Sequence, residues 1–218
     1  MLDFNEAREA MVDGQVRPAD VTRHNIIAAM LSIPREIFVP AGQRPVAYVD
    51  RDVPLGNGRV LLAPRTFAKM LDAAEIAPTD TVLDVGCGFG YSSAILSRLC
   101  RGVIAVEEDE AMAKAAEDNL AALAIDNVAV LNRPLADGVP EEGPYDVIVV
   151  SGGGIGTEPE ALQGQLAGDG RLIAVWPGRG SGQVRMTVRS GDDLATRWVF
   201  DAAAPILPGF EARPSFAF

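Results

Sequence analysis

Hydrophobic residues repeat with a helical period near the start of this chain. Residues 5–13 alternate apolar and charged positions, and residues 26–31 carry the apolar stripe of a second helix, which Thr22 is placed to cap and Pro34 to end. Residues 39–64 are rich in proline and glycine and follow no clean period. We therefore expect an irregular segment with short strands there.

From residue 67 onward, helical stretches alternate with apolar runs of strand length. Runs built almost wholly of Val, Ile and Leu and separated by helices predict a mostly parallel sheet that is covered on both faces. The alternation stops after Trp176, and the turn sequence at 190–193 predicts a hairpin of antiparallel strands. The predicted strands are 81–85, 103–106, 128–131, 147–150, 172–175, 184–188 and 196–200, and the predicted helices are 67–74, 92–99, 110–123 and 161–166.

These patterns together predict an α/β fold. We expect a Rossmann-like, doubly wound, mostly parallel sheet with helices on both faces, antiparallel strands at the C-terminal end and a helical N-terminal extension. Three aromatic residues near the C-terminus, Phe210, Phe216 and Phe218, either close the core or form an interface. The sequence leaves the oligomeric state open.

Composition narrows the class of protein. Thirty acidic residues face 19 basic ones among the 218, for a formal net charge of −11, and so acidic a surface disfavours nucleic acid as a partner. The chain has no run of ~18 apolar residues, which argues against a membrane partner, and no secretory signal at its start. Cys87 and Cys100 form no C-x-x-C pair, and no metal cluster can be assembled. A reduced, cytoplasmic protein without a metal is therefore expected.

A glycine-rich segment at residues 84–91, Asp-Val-Gly-Cys-Gly-Phe-Gly-Tyr, joins a predicted strand to the following helix. Glycines allow a sharp turn and a close approach of backbone to ligand, and the N–H groups at the helix start favour an anionic group. Glu107 ends the next predicted strand, which is the position where an acid accepts hydrogen bonds from the two ribose hydroxyls of a nucleotide. The spacing therefore predicts a nucleotide-type cofactor.

The details of this loop distinguish between cofactors. A dinucleotide fingerprint, G-x-G-x-x-G, would need glycine at Tyr91, and no Gly-Lys-Ser/Thr follows for a phosphate loop. The pattern Asp-x-Gly-x-Gly-x-Gly instead resembles motif I of class I S-adenosylmethionine methyltransferases, in which the acid, here Asp84, helps to hold the amino-acid end of the cofactor. The end of the third strand, residues 132–135, is expected beside the adenine.

Motifs outside the loop make the chain resemble the protein-L-isoaspartate O-methyltransferases. They are Ile-Pro-Arg-Glu-Ile-Phe-Val-Pro at 33–40, Val-Pro-Leu-Gly-Asn-Gly at 53–58, Pro-Tyr-Asp at 144–146 and Gln-Leu-Ala-Gly-Asp-Gly at 165–170. The resemblance implies S-adenosylmethionine as cofactor, S-adenosylhomocysteine as product, and methylation of the free carboxylate of isoaspartyl residues in damaged peptides or proteins. It also implies that residues 1–66 form a cap over the substrate and 67–218 the cofactor-binding domain.

The resemblance implies a set of site residues. Arg59, Leu62 and Pro64 are candidates for positioning the substrate, while no catalytic group is assigned. A carboxylate nucleophile has a pKa near ~4 and is ionised at neutral pH, so methyl transfer needs no general base. The residues expected to contact the cofactor are Leu61, Asp84, Gly86, Cys87, Gly88, Phe89, Gly90, Tyr91, Glu107, Glu108, Pro134 and Leu135.

Two departures from the family pattern leave the substrate open. The family serine whose hydroxyl helps to hold the substrate carboxylate is matched here by Leu62, and the family acid that addresses the adenine amino group is matched by Pro134. Arg59 or Arg65 is a candidate for compensating charge, because a guanidinium suits a carboxylate. The alternatives are a methyltransferase of this fold with a more apolar substrate, or a cofactor-binding pseudoenzyme or regulatory module.

Overall fold

The structure is a computed structural model that describes residues 3–178 and 181–212. Within these residues, helices and strands alternate along the chain. Short 3-10 turns connect several of them, including one at Arg35–Phe38 and another at Ala41–Val46. The helices are α1 (Phe4–Met11), α2 (His24–Ser32), α3 (Pro64–Ala74), α4 (Tyr91–Leu96), α5 (Glu110–Ala122) and α6 (Glu160–Gln163), and the strands are β1 (Val53–Gly56), β2 (Arg59–Leu61), β3 (Thr81–Val85), β4 (Gly102–Glu107), β5 (Val128–Asn132), β6 (Tyr145–Gly154), β7 (Leu166–Trp176), β8 (Gln183–Ser190) and β9 (Asp193–Asp201).

Seven strands form one central sheet in the order β5-β4-β3-β6-β7-β8-β9, and β1 and β2 form a separate antiparallel hairpin. Strands β3 to β7 are parallel to one another, whereas β8 pairs antiparallel with both β7 and β9. The chain runs outward from β3 through β4 to β5 and then returns to β6 on the other side of β3. This reversal opens a crevice at the carboxyl ends of β3 and β6, which is where α/β sheets bind ligands. The predicted Rossmann-like fold is confirmed.

The sheet separates two apolar clusters, as its apolar strands require. One face packs against the N-terminal helices, α3, α4 and α5, and this cluster contains Met30 and Phe38 as well as Phe67. The opposite face packs against α6 and the segment after β9, where Phe210 is buried. The N-terminal segment thus shares its core with the sheet. Phe216 and Phe218 lie outside the described residues.

Two local expectations from the sequence are wrong. Helix α2 begins at His24 with Arg23 as its N-cap, so Thr22 does not cap it; the Arg23 guanidinium pairs with Asp72 and Glu75 on α3 and its C-cap instead. The helix predicted at 161–166 ends at Gln163, and β7 begins at Leu166.

The early end of α6 follows from tertiary contacts of Gln165. Its side-chain amide donates to the Asp137 carbonyl at 2.7 Å and accepts from the Val139 N–H at 2.9 Å. These bonds fix Gln165 beside the loop before β6, so that Leu166 pairs with Tyr145 as the first residue of β7. None of the described helices is long and apolar enough to cross a membrane.

The close packing of β3 against β6 at their carboxyl ends generates a prediction. A Cβ on Gly152 would lie 2.1 Å from the Gly86 carbonyl oxygen, a backbone atom that cannot move aside cheaply. We expect Gly152→Ala to lower the free energy of unfolding by about 3 kcal/mol, measured by urea denaturation. Gly168→Ala is the matched control, because nothing lies within 4 Å of the added carbon. Equal stability of both variants would contradict this packing.

Candidate functional site

The glycine loop lies at the carboxyl end of β3, in the crevice of the sheet. Gly86, Gly88 and Gly90 have φ values of +77°, +55° and +94°, a region that side chains other than glycine rarely adopt. The Gly86 N–H donates to the Val106 carbonyl at 2.8 Å, so the loop turns against the end of β4. The predicted strand, turn and helix start are therefore present, with α4 beginning at Tyr91.

Asp84 is completely buried near the end of β3. Its carboxylate accepts hydrogen bonds from the hydroxyls of Ser92 and Ser93, each at 2.6 Å, and from the hydroxyl of Ser151. Burial raises the pKa of the Asp84 carboxyl, and the three hydroxyl donors partly offset that shift. Sequence reasoning singled out Asp84 but missed the serines, although two of them follow the glycine loop directly.

Glu107 ends β4, is completely buried, and has both carboxylate oxygens engaged. The Arg59 Nε lies 3.0 Å and 3.2 Å from the two oxygens, and its Nη2 lies 2.9 Å from Oε1. Backbone N–H groups of Gly88 and Asp109 add bonds of 3.0 Å and 3.1 Å. The acid that the sequence assigned to ribose is thus held by a guanidinium on one side and by the glycine loop on the other.

Arg59 was a candidate for binding the substrate carboxylate. The structure instead places its guanidinium on Glu107, with Nη2 also 3.4 Å from Glu108 Oε1, and its side chain is only 1% exposed. The guanidinium that sequence reasoning offered to a substrate carboxylate already has two acidic partners.

The hairpin of β1 and β2, residues 53–61, lies over the glycine loop. A Cβ on Gly88 would approach Leu55 Cδ1 to 2.7 Å, which shows how closely the hairpin packs. At the tip of the hairpin, the Asn57 amide donates to Asp109 Oδ2 at 2.6 Å. Since Arg59 contacts Glu107 and Glu108, the three consecutive acids at the end of β4, Glu107 to Asp109, are all held by hairpin residues.

The remaining cofactor candidates lie around the ends of β4 and β5. Leu61 is buried, Phe89 is half-buried and Glu108 is exposed. Pro134 is exposed and Leu135 buried, immediately after β5. The Asn132 amide donates to the carbonyls of Glu107 and Glu108 at 2.9 and 3.0 Å, which ties the end of β5 to the end of β4. The structure thus brings these candidates to the same edge of the sheet as the glycine loop.

The substrate candidates lie at the start of α3. Leu62 is 1% exposed, and its side chain belongs to the apolar cluster, while its carbonyl accepts from Arg35 Nη2 at 2.7 Å. Pro64 is buried at the first position of α3, and the exposed Arg65 lies 3.5 Å from Asp50.

Arg35 is a functional candidate that sequence reasoning missed, although it lies in the 33–40 motif. It is completely buried, and its Nε donates to the Ala47 carbonyl at 2.6 Å. Its guanidinium carbon lies 4.8 Å from the centre of the Tyr91 ring. Among residues 3–178 and 181–212, neither Arg35 Nη1 nor the Tyr91 hydroxyl finds a hydrogen-bond partner. Burial lowers the pKa of Arg35.

An open cavity of about 490 Å³ lies between the start of α3 and the end of β9, and Ala63 and Arg65 line it on the α3 side. Asp52, Arg65 and Lys69 supply charge to its wall, and Phe200 supplies an apolar surface. Asp52 accepts from the Ala63 N–H at 2.7 Å, which fixes the entry into α3. Within the described residues, no group of His, Cys, Asp or Glu side chains is arranged to hold a metal ion.

Comparisons with known proteins agree on one family. The model of the family described as protein-L-isoaspartate(D-aspartate) O-methyltransferase matches residues 6–198. A protein-L-isoaspartate O-methyltransferase of Roseiflexus castenholzii is 37% identical over 209 residues, which is 95% of each chain. One of Methylorubrum extorquens is 39% identical over 196 residues, covering 89% of this chain and 85% of the relative.

Solved structures give the same result for the fold. A protein-L-isoaspartate O-methyltransferase superimposes with a TM-score of 0.81 at 25% identity, over 94% of this chain and 67% of that one. A putative one from Plasmodium falciparum, in complex with S-adenosyl-L-homocysteine, superimposes with a TM-score of 0.75 at 19% identity, over 95% and 99% of the two chains.

The burial of Asp84 predicts a pH-dependent stability difference. Because its pKa in the folded protein is raised, its contribution to stability is fully present below the pKa of the unfolded chain and is lost as the pH rises through the folded value. Asp84→Asn removes this ionisation. We expect the variant to melt at a higher temperature than the wild type at pH 8, by a margin that shrinks towards pH 4. Asp192→Asn, in the exposed turn after β8, controls for the loss of one negative charge. A difference in melting temperature between Asp84→Asn and the wild type that did not change with pH would contradict the raised pKa of Asp84.

Proposed function

We propose that this chain, which belongs to the protein-L-isoaspartate(D-aspartate) O-methyltransferase family, methylates the free carboxylate of isoaspartyl residues in damaged proteins. The observation that carries the proposal is the glycine loop with Glu107 at the neighbouring strand end, in a chain that matches the family over residues 6–198. The bound S-adenosyl-L-homocysteine of the Plasmodium falciparum structure supports S-adenosylmethionine as the cofactor.

The residue types of the site fit this cofactor. Three glycines with positive φ give a loop to which a ligand can come close, and buried carboxylates at Asp84 and Glu107 suit ammonium and hydroxyl donors. The hydroxyl partners of Asp84 can rotate to receive a ligand, whereas the Arg59 guanidinium on Glu107 must move to release its acceptors. S-adenosylmethionine supplies an electrophilic methyl group when bound.

The protein's own part is to bind, orient and exclude water. A substrate carboxylate is already ionised at neutral pH, so the chain need not supply a general base. The one histidine, His24, is exposed at the start of α2, and the proposed mechanism assigns it no role. The rate of methyl transfer is then raised by holding the substrate carboxylate close to the methyl group and in line with it. The cavity beside α3, with Arg65 and Lys69 in its wall, is our proposed path of the peptide.

Two observations each favour an alternative function for this chain. Leu62 lies where the resemblance expects a hydroxyl, and it is packed in the apolar core, which favours a less polar substrate. The engagement of Glu107 by Arg59 favours a module that binds the cofactor weakly. Both candidates keep the fold and the family.

Calorimetry and a labelling assay separate these functions. We expect S-adenosylmethionine to bind, and the labelled methyl group to appear on an isoaspartyl peptide but not on the matched aspartyl peptide. Binding without labelling of either peptide would reject the repair function and leave the two alternative functions, a methyltransferase with a less polar substrate or a regulatory module. No binding at millimolar concentration would reject the cofactor as well.

A pair of variants at Leu62 tests whether this position faces the substrate carboxylate. We expect kcat/KM on the isoaspartyl peptide to be about tenfold higher in Leu62→Ser than in Leu62→Ala, because a hydrogen bond to a charged acceptor is worth about 1.5–3 kcal/mol. Both variants remove the buried leucine, so the alanine variant corrects for the cavity. Equal kcat/KM values would show that position 62 does not reach the substrate.

A further inference from the structure

The carboxylate of Glu107 has no acceptor capacity left for another ligand. A carboxylate offers about four lone-pair sites, and four N–H groups within 3.2 Å fill them. Arg59 supplies two, its Nε being shared between the two oxygens, and the backbone supplies the other two. A ribose diol would need two of these sites. The backbone donors of Gly88 and Asp109 belong to the loop and the helix cap, so Arg59 is the partner that has to leave.

Arg59 arrives on the hairpin of residues 53–61, and that hairpin is attached to the site at two further points. Asn57 bonds to Asp109, and Leu55 covers Gly88. Within the described residues, the two strands of the hairpin pair with each other and not with the central sheet. Withdrawal of the hairpin would break no hydrogen bond of the central sheet, but it would uncover Val53, Leu55 and Leu61, which are buried in the same apolar cluster as Phe38.

Arg59 cannot bind a substrate carboxylate and hold Glu107 at the same time. Its side chain is 1% exposed, Glu107 already accepts hydrogen bonds from it, and Glu108 Oε1 lies 3.4 Å from its Nη2 as a second ion-pair partner. A substrate carboxylate could gain the guanidinium only if Glu107, a fully buried carboxylate, lost its charged partner. The contacts of Arg59 thus lie on the cofactor side of the site.

We propose that Arg59 is an internal competitor for the ribose of the cofactor, and that the hairpin of residues 53–61 closes the cofactor site whenever Arg59 holds Glu107. This inference rests on the proposed function, because it concerns the cofactor of that same site. The affinity measured for the cofactor is the intrinsic affinity reduced by the fraction of molecules in which Arg59 has withdrawn. A substitution that weakens the Arg59–Glu107 pair therefore raises the measured affinity.

The test is a calorimetric titration of the full chain with S-adenosylhomocysteine, which has no methyl group to transfer. We expect Arg59→Gln to lower the Kd about tenfold or more, the low end of the effect of one charge-assisted hydrogen bond. The rise in melting temperature on adding S-adenosylhomocysteine should be correspondingly larger in this variant than in the wild type.

Arg171→Gln is the matched control. It also removes one positive charge and one partly buried ion pair, the contact of Arg171 Nη2 with Asp80 Oδ2 at 2.9 Å. Arg171 lies in the middle of β7, and Asp80 directly precedes β3, at the end of that strand opposite to the glycine loop. We expect its Kd to equal that of the wild type. Arg59→Lys is the second variant, should Arg59→Gln fail to fold: it keeps the charge but loses the forked contact, and we expect a Kd between those of the wild type and Arg59→Gln.

The outcomes distinguish the two proposals. A tighter Kd in the Arg59 variants, with the control unchanged, supports the internal competitor. If the wild type binds and the Arg59 variants bind equally or more weakly, the competitor is overturned while the proposed function stands. If neither the wild type nor an Arg59 variant binds at millimolar concentration, the assignment of the cofactor fails and the competitor fails with it.

Discussion

The buried ion pair between Arg59 and Glu107 holds the candidate site together. One carboxylate at the end of β4 accepts from the glycine loop, from the start of α5 and from the β1–β2 hairpin, and so fixes three segments that are distant in sequence. A buried charge is tolerated only when its partners satisfy it, and removal of one partner typically costs about 3–5 kcal/mol. The geometry of the loop is therefore coupled to the position of the hairpin.

The two acids of the site differ in the kind of partner that they have. Asp84 is satisfied by three serine hydroxyls, which can rotate and change from donor to acceptor without moving the backbone. Glu107 is satisfied by a forked guanidinium, which is always charged and always a donor. A ligand can therefore approach Asp84 through small rotations, whereas its approach to Glu107 requires a segment of chain to move.

The segment that leads into α3, where the substrate candidates lie, packs around a buried cation rather than a buried anion. Arg35 is held by the carbonyls of Ala47 and Leu62 and by the face of Tyr91, and no carboxylate of the part of the chain that the structure describes pairs with it. Its bond to the Leu62 carbonyl fixes the backbone just before α3. In this chain the motif that contains Arg35 therefore supports the wall of the site through the backbone, while Leu62 turns its side chain into the core.

Much of the fold was predictable because its signals are local. The period of apolar residues defined the parallel strands, the turn at 190–193 defined the last hairpin, and the spacing from Gly86 to Glu107 placed the acid at the end of β4. The errors at Thr22 and at residues 161–166 arose where tertiary contacts, those of Arg23 and Gln165, decided where an element begins or ends.

The sequence by itself determined the sheet, the glycine loop and the identity of the two acids, since each depends on residues within one or two elements. Only the tertiary structure decided what these acids contact. Ser151 reaches Asp84 across 67 positions and Arg59 reaches Glu107 across 48, and no period or turn signal connects residues so far apart. Arg59 reaches Glu107 because the β1–β2 hairpin packs over the glycine loop, and no local motif indicates this ion pair.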